Sequence, residues 1–459
     1  MIQIIGGGLA GCEAAWQAVG RGVPVTLHEM RPVRTTRVHQ TDRLAELVCS
    51  NSFRGDNLEN AVGLLKAEMR QFGSLIMQAA EAARVPAGSA LAVDRERFAA
   101  GVTNVLANHP LVTIRREEVT NLPQIDSPTV IATGPLTSDS LSADLAALVG
   151  REHLYFFDAI SPIVLAESID HAKVFRASRW GRDTDSALSM GGRAGQKSGD
   201  YLNCPMSEAE YRCFYDAVRG AEAVELHDFD RTPFFEGCLP IEVMAHRGID
   251  TLRFGPMKPV GLTDPATAHR PYAVVQLRQD NLAADHYSLV GFQTQLKWGE
   301  QRRVFRLIPG LESAEFVRFG MIHRNTYVNA PTLLRSTWQT RTRPELFLAG
   351  QLSGVEGYVE SAASGLMAGL NAAALVLGWP VTTPPRSTAM GALAHYVSHA
   401  DPANYQPTNI AFGLIPPLAR PPRNKVARKR ALSKRALDDL VAWRDAMVKV
   451  NEEAPSVVS

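Results

Sequence analysis

The spacing of apolar residues changes along the chain, and each change marks an element. Ile2, Gln3, Ile4 and Ile5 predict a short buried strand, and Cys12 to Val19 a helix. Val23 to Glu29 predicts a second strand, and Leu44 to Val48 is a short apolar run before the turn-formers Cys49, Ser50, Asn51 and Ser52. From Glu59 to Ala83, Leu64, Leu65, Met69, Phe72, Leu75 and Ile76 recur on one helical face. Ser89 to Val93 predicts a strand, with Asp94 as the N-cap of a helix reaching about Ala107. Leu111 to Arg115 and Val119 to Leu122 predict paired strands, and Thr129 to Thr133 an apolar strand ending at Gly134-Pro135. From about Tyr155 to Arg324 long helical periods give way to aromatic residues and short strand signals, which predicts an inserted, mostly β or α+β unit. Leu346 to Gly350 predicts a late buried strand, and Glu360 to Leu377 an Ala- and Gly-rich helix with Gly365 and Gly369 allowing close packing. Proline pairs at 384–385, 416–417 and 421–422 punctuate the remainder before a helix-like stretch from Ala427 to Val450.

The opening carries the sharpest chemistry. Gly6, Gly8 and Gly11 stand at the G-x-G-x-x-G spacing, between a strand and a helix. In that setting the first glycine makes the tight turn, the second admits a pyrophosphate to the backbone, and the third lets helix and sheet touch. The helix N-terminus then presents N–H donors to phosphate. Gly7, Leu9 and Ala10 complete the loop, and Glu29, closing the second strand, is placed to hold a ribose hydroxyl. The expected fold class is α/β. A Rossmann-like FAD-binding unit would be built from both ends of the chain, residues 1–154 and 325–459, with residues 155–324 inserted. In flavoproteins of that build the late strand returns to the first sheet and its helix points at the flavin. Gly191, Gly192 and Gly195 follow no strand and predict no second dinucleotide site; Arg179 to Gly199 reads as a polar surface loop.

Composition narrows the class. The 459 residues are 45% hydrophobic with net charge +1, so any nucleic-acid partner must be met by local basic patches. One such cluster is Arg423, Lys425, Arg428, Lys429, Arg430, Lys434 and Arg435, either a solvated helix face or a phosphate-binding patch. The five cysteines, Cys12, Cys49, Cys204, Cys213 and Cys238, have neither zinc spacing nor the density of a disulfide framework. Free thiols in a reducing cytoplasm are expected. The N-terminus reads as a structural strand, not a signal peptide, and no apolar run predicts a membrane span.

Longer motifs run through nearly the whole chain: IIGGGLAGCEA (Ile4 to Ala14), HEMRP (His28 to Pro32), LVCSNSF (Leu47 to Phe53), LLKAEMR (Leu64 to Arg70), IATGPL (Ile131 to Leu136) and YLNCPM (Tyr201 to Met206). They continue with FEGCLPIEVMA (Phe235 to Ala245), RFGPMKPVGL (Arg253 to Leu262), GFQTQLKW (Gly291 to Trp298), MIHRNTY (Met321 to Tyr327), LAGQLSGVEGYVES (Leu348 to Ser361) and NIAFGLIPPL (Asn409 to Leu418). On these residues the chain resembles the TrmFO family of folate- and flavin-dependent tRNA methyltransferases, related to GidA. The Arg182 to Gly199 stretch departs from the family pattern by its length.

The resemblance implies FAD, methylenetetrahydrofolate as methylene donor, NADH or NADPH as reductant, and tRNA as substrate, with methylation at carbon 5 of the T-loop uridine (position 54). It also gives cysteine a role. A thiolate adding to uracil C6 turns C5 into a nucleophile, and a base must later remove the C5 proton. Cys238 is expected to be the nucleophile and Cys49 the base or the holder of the methylene, and the exchange of these roles stays open. Cys12 and Cys213 read as structural, and Cys204 is unassigned. Gly134, Gly350, Gly357, Tyr358, Glu360 and Ser361 are expected at the cofactor. Tyr358 would sandwich a pterin or be a core tyrosine. Arg253, Lys258, His323, Arg324, Asn325, Lys425, Arg428 and Lys429 are expected to hold folate or RNA. The competing readings are a GidA-type wobble-uridine flavoprotein, a flavin oxidoreductase of a small metabolite, and a non-catalytic flavin-bound RNA-binding protein.

Overall fold

The computed structural model describes residues 1–453 except 37, 123–126, 150–153, 182–198 and 225–238. The chain opens with β1 (Ile2–Ile5), α1 (Leu9–Val19) and β2 (Val25–Glu29). The helix thus starts three residues earlier than periodicity predicts, directly on the glycine loop, and the second strand two residues later. Next come β3 (Ser52–Gly55), α2 (Ala61–Gln71), α3 (Leu75–Ala82), β4 (Arg84–Val85) and β5 (Ala90–Val93). The single periodic stretch from Glu59 to Ala83 is therefore two helices, parted at Gly73-Ser74. Ser74 caps the second, its Oγ accepting from Met77 N. The buried Glu13 of α1 reinforces that end by accepting from Ser74 Oγ at 2.7 Å and Ile76 N at 3.0 Å. A carboxylate at a helix N-terminus satisfies donors that the helix cannot.

Helix α4 (Arg95–Ala107) follows with Asp94 as its N-cap, as expected. Then come β6 (Val112–Arg116), β7 (Thr129–Ile131) and α5 (Asp139–Val149). The expected pairing of residues 111–115 with 119–122 is not found. Strand β6 lies parallel to β2, Val112 against Val25, and Val119 to Leu122 form no strand.

The middle of the chain contains β8 (Leu154–Ala159), β9 (Ile163–Leu165), β10 (Phe175–Arg176), β11 (Tyr201–Met206), α6 (Glu208–Arg219), α7 (Ile241–His246) and α8 (Thr251–Phe254). It continues through β12 (Ala273–Gln279), β13 (His286–Leu289), α9 (Trp298–Phe305), β14 (Phe316–Arg318) and β15 (Ile322–Tyr327). Six of these strands make an antiparallel sheet in the order β10-β11-β12-β13-β9-β14, while β15 pairs with β8. A separate aromatic core, including Tyr211, Phe214, Phe292 and Phe305, fills one face of the six-stranded sheet.

After α10 (Ala330–Leu333), strand β16 (Leu346–Leu348) returns to the first sheet. That sheet has the order β16-β7-β1-β2-β6 and is parallel throughout. Helix α11 (Tyr358–Leu377) lies against α1. The two approach backbone to backbone, because a Cβ on Gly365 would stand 2.1 Å from Ala10 O and one on Gly369 2.4 Å from Ala14 O. Among the described residues α11 is the one helix long and apolar enough to cross a membrane, and 83% of its most apolar 18-residue stretch is buried inside the protein. Helices α12 (Ala389–His399) and α13 (Lys425–Glu453) close the chain, and the buried Glu68 of α2 caps α12 by accepting from Ala389 N and Met390 N.

Candidate active site

The crossing from β1 to α1 shows why glycine is required. Gly6 has φ +108, and a side chain there would meet Ala132 O at 2.5 Å. A Cβ on Gly11 would fall 1.8 Å from Gly6 O, so Gly11 seats helix on loop and does not itself line the cavity. At Gly8 the Cβ direction is open, with nothing within 4 Å. The loop faces a cavity, open at its mouth, whose walls include Gly6, Gly7, Gly8, Leu9 and Ala10. Gly134, Gly350, Tyr358 and Ser361 also line it, so both ends of the chain contribute. Gly134, at φ +67, likewise has open space where a Cβ would be. An open glycine-lined cradle at a helix N-terminus, inside a parallel sheet, fits a dinucleotide.

Glu29 lies in this wall at the end of β2. Its carboxylate accepts from Gly7 N at 3.1 Å and from Arg31 Nε at 2.9 Å. Burial opposes its ionisation, but the hydrogen bonds and charge of Arg31 outweigh burial and hold the carboxyl below its usual range. His39, in the same wall, is pushed down to about 4 by burial and then by Arg31, so it is neutral at physiological pH.

A second cavity meets the first at Val48, Pro135, Gln351, Tyr358 and Ser361. Cys49 lines it beside Ser50, Ser52, Arg54, Arg95, Arg278 and Asn409. The Cys49 loop is held from several sides. The Tyr358 hydroxyl oxygen accepts from Cys49 N at 2.8 Å and from Ser50 N at 3.2 Å. Arg95 donates to Leu47 O, Cys49 O and the Asp280 carboxylate. Arg278 donates to Asn51 Oδ1 and Ser50 Oγ, each at 2.8 Å, while Asn51 Nδ2 donates to Val93 O. Arg318 donates to Val48 O at 2.8 Å. Arg95, Arg278 and Arg318 thus bring positive charge to the Cys49 loop from three sides. Positive charge of this kind is what keeps a thiolate stable. Burial, and after it the Cys49 charge, raises Tyr358 above the ordinary phenol, which keeps its hydroxyl neutral.

Tyr358 is thus tied to the cysteine loop through its oxygen, while its ring borders both cavities and tilts against Phe53 at 5.7 Å. Gly357 lines only the second cavity. Glu360 lines neither: its carboxylate pairs with Arg54 and accepts from Ile410 N. Cys238 lies outside the described residues, as does Arg182 to Gly199 apart from Gly199 itself. Cys12 and Cys204 are buried, and burial pushes both thiols up; Cys213 is exposed on α6.

The expected substrate residues are dispersed. Arg253 stacks over Tyr272 at 3.7 Å and pairs with Asp250, and neither it nor Lys258 lines either cavity. His323 and Arg324 belong to β15, but their side chains lie outside the described set. Asn325 is fully buried, with neither side-chain polar atom bonded among the described residues. Lys425, Arg428 and Lys429 stand on the first turns of α13, Lys429 over the Phe412 ring at 5.8 Å. Sequence reasoning missed Arg54, Arg95 and Arg278. One signal was present: an arginine inside AVVQLRQ, a run otherwise fit for a buried strand.

The family model described as glucose inhibited division protein A matches residues 1–380. The methylenetetrahydrofolate--tRNA-(uracil-5-)-methyltransferase TrmFO of Desulforudis audaxviator is 59% identical over 443 residues, covering 96% of this chain and 98% of that protein. Its namesake from Moorella thermoacetica is 59% identical over 437 residues, covering 95% and 97%. Among solved structures, Aquifex aeolicus GidA (form II crystal) superposes with a TM-score of 0.65 at 17% identity, over 98% of this chain and 75% of that one. At that identity the likeness speaks for the fold.

Proposed function

The chain belongs to the TrmFO family, within the wider group matched by the glucose inhibited division protein A model, and from that premise we propose that it methylates carbon 5 of a tRNA uridine using methylenetetrahydrofolate and FAD. The product is 5-methyluridine, the target is the T-loop uridine at position 54, and NADH or NADPH is the reductant. The observation that carries this reading is the junction of two cavities at Tyr358 and Ser361, with Cys49 beside the junction.

Gly6, Gly7, Gly8, Leu9, Ala10 and Glu29 would hold the dinucleotide end of FAD, and Gly134, Gly350, Tyr358 and Ser361 its ring. When bound, the flavin supplies the hydride that completes the methyl group. The protein's own part is nucleophilic and acid–base. The Cys238 thiolate adds to uracil C6 and makes C5 electron-rich; C5 then bonds the folate methylene. Cys49 takes the C5 proton as the bond from the methylene to the folate nitrogen breaks and tetrahydrofolate leaves; hydride addition to the methylene carbon then expels the Cys238 thiolate and restores the ring. The rigid Cys49 loop supports the base role, since a proton acceptor needs a fixed position. Arg253, Lys258, His323, Arg324, Asn325, Lys425, Arg428 and Lys429 are proposed for folate or RNA. The parallel sheet, with strands drawn from residues 2–131 and 346–348, supports residues 1–154 and 325–459 as one unit with 155–324 inserted.

The test uses purified protein, an unmodified tRNA transcript and reduced nicotinamide cofactor, with either methylenetetrahydrofolate or S-adenosylmethionine. Nucleoside mass spectrometry should find 5-methyluridine with the folate alone. A yellow, FAD-loaded protein that forms none would overturn the reading. Loss of product in both Cys49→Ala and Cys238→Ala supports the cysteine assignment, and an active variant of either removes that residue from it.

A further inference from the structure

Trp298 is the first residue of α9, and 60% of it is exposed. A single exposed apolar residue is ordinary, but this one does not stand alone. The ring is also ordered. It stacks on Phe319 with centroids 5.6 Å apart and planes 15° from parallel, and Phe319 stacks on Phe316 at 5.2 Å and 16°. From Phe316 the contacts run inward through Phe305 and Phe292 to the core of the six-stranded sheet. The result is a three-ring stack anchored at its inner end, with exposed Trp298 at its outer end.

Arg302, one turn along α9, places its guanidinium 5.5 Å from the Phe319 ring, and it has no acidic partner among the described residues. The platform is rigid, since the buried Gln301 side chain brackets Gly320, donating to its carbonyl and accepting from its N–H, each at 2.8 Å. Gly320 itself is wedged against Thr294 and Ile160 O. The platform is also coupled to the cleft. Arg318, adjacent to Phe319, donates to Val48 O, one residue from Cys49.

We propose that Trp298, Phe319 and Arg302 form a stacking platform for one unpaired base of the RNA substrate, next to the cleft that takes the target uridine. This rests on the tRNA reading above. A flat apolar face beside an exposed guanidinium suits a nucleobase with its phosphate, because every base offers a π-face and the cation meets the backbone charge. An apolar protein partner would gain nothing from the exposed Arg302.

The test is filter binding of the tRNA transcript to flavin-loaded wild type, Trp298→Ala, Trp298→Phe and Arg302→Ala, over a series of salt concentrations. Retention of the flavin spectrum shows that each variant is folded. Trp298→Ala should weaken tRNA binding by roughly tenfold to a hundredfold with an unchanged salt slope, as stacking predicts. Trp298→Phe should recover most of that loss, and the KM for methylenetetrahydrofolate should stay as in wild type. Arg302→Ala should weaken binding and flatten the salt slope by about one charge. Wild-type affinity in Trp298→Ala would overturn the platform while leaving the tRNA reading intact. Absence of tRNA binding by wild type would instead sink that reading and the platform with it. Unchanged tRNA affinity with loss of a larger species in sedimentation would make the face a protein contact and overturn the proposal.

Discussion

Replacing Gly365 with alanine sets two known effects against each other. Inside a helix, Gly→Ala stabilises by about 0.5–1 kcal/mol through propensity alone. At Gly365 the added methyl would stand 2.1 Å from Ala10 O and 2.6 Å from Ala10 C and Cα, all backbone atoms of α1. No rotamer change relieves that contact, so α1 must retreat from α11 by roughly an ångström. Overpacking of this kind costs about 1–3 kcal/mol and sometimes more. The net expectation is destabilisation of about 1 kcal/mol, rising to about 2.5 if α1 cannot yield. Gly101, inside α4, is the control, because nothing lies within 4 Å of its added Cβ. Gly101→Ala should stabilise by up to about 1 kcal/mol. Both variants are compared with wild type in thermal unfolding of the flavin-free protein, where about 2 °C or less per kcal/mol is expected in a chain of this size. Ala10 also lines the cofactor cavity, so Gly365→Ala should hold flavin more weakly, read from the ratio of visible to ultraviolet absorbance. A Gly365→Ala protein as stable as wild type, or a Gly101→Ala protein that loses as much, would refute the packing argument.

Three further predictions follow from contacts at the site and in the core. Tyr358→Phe removes the oxygen that accepts from Cys49 N and Ser50 N; methyl transfer should fall about tenfold to a hundredfold while flavin content is retained, and an unaffected rate would show the loop to be held by Arg95 and Arg278 alone. Burial pushes the Glu68 carboxyl up to about 8, so the folded state binds a proton that the unfolded state releases, and wild-type stability falls as pH rises from about 4.5 to 8. Glu68→Gln does not titrate, so its deficit in denaturant midpoint should narrow between pH 5.5 and pH 8, and a widening gap would mean that the folded protein holds Glu68 ionised. Replacing Lys425, Arg428 and Lys429 together with glutamine should flatten the salt dependence of tRNA binding by about one unit per charge that meets a phosphate, and an unchanged slope would assign that helix face to solvent.

The elements that local chemistry specifies were legible in advance. The glycine spacing located the β1–α1 turn, and Asp94 located the start of α4. Gly365 and Gly369 announced a close helix contact. What misled was periodicity without geometry. The apolar face of residues 64–76 runs unbroken through Gly73-Ser74, so two helices read as one. Neighbouring β signals at 111–115 and 119–122 suggested a hairpin, yet the partner of β6 is β2, more than eighty residues earlier in the chain. The site divides the same way. Cys49, Tyr358 and the glycine wall could be named from motifs, whereas Arg95 and Arg278 could not. Their role depends on contacts such as Arg278 to Asn51, 227 residues apart, which no local pattern encodes.

The strand order of the parallel sheet has a consequence for biosynthesis. Strand β7 sits between β1 and β16, Thr129 facing Gln3 on one side and Leu346 on the other. Until the ribosome has released residue 348, the far edge of β7 is an unpaired apolar template in the nascent chain. The cofactor wall at Tyr358 and Ser361 emerges later still. At about 5–20 residues per second, the stretch from the end of β7 to the end of β16 takes roughly 10–45 s of translation. Flavin loading is thus confined to the last part of synthesis or to the released chain, and a product stalled before α11 would be both colourless and an open edge for aggregation.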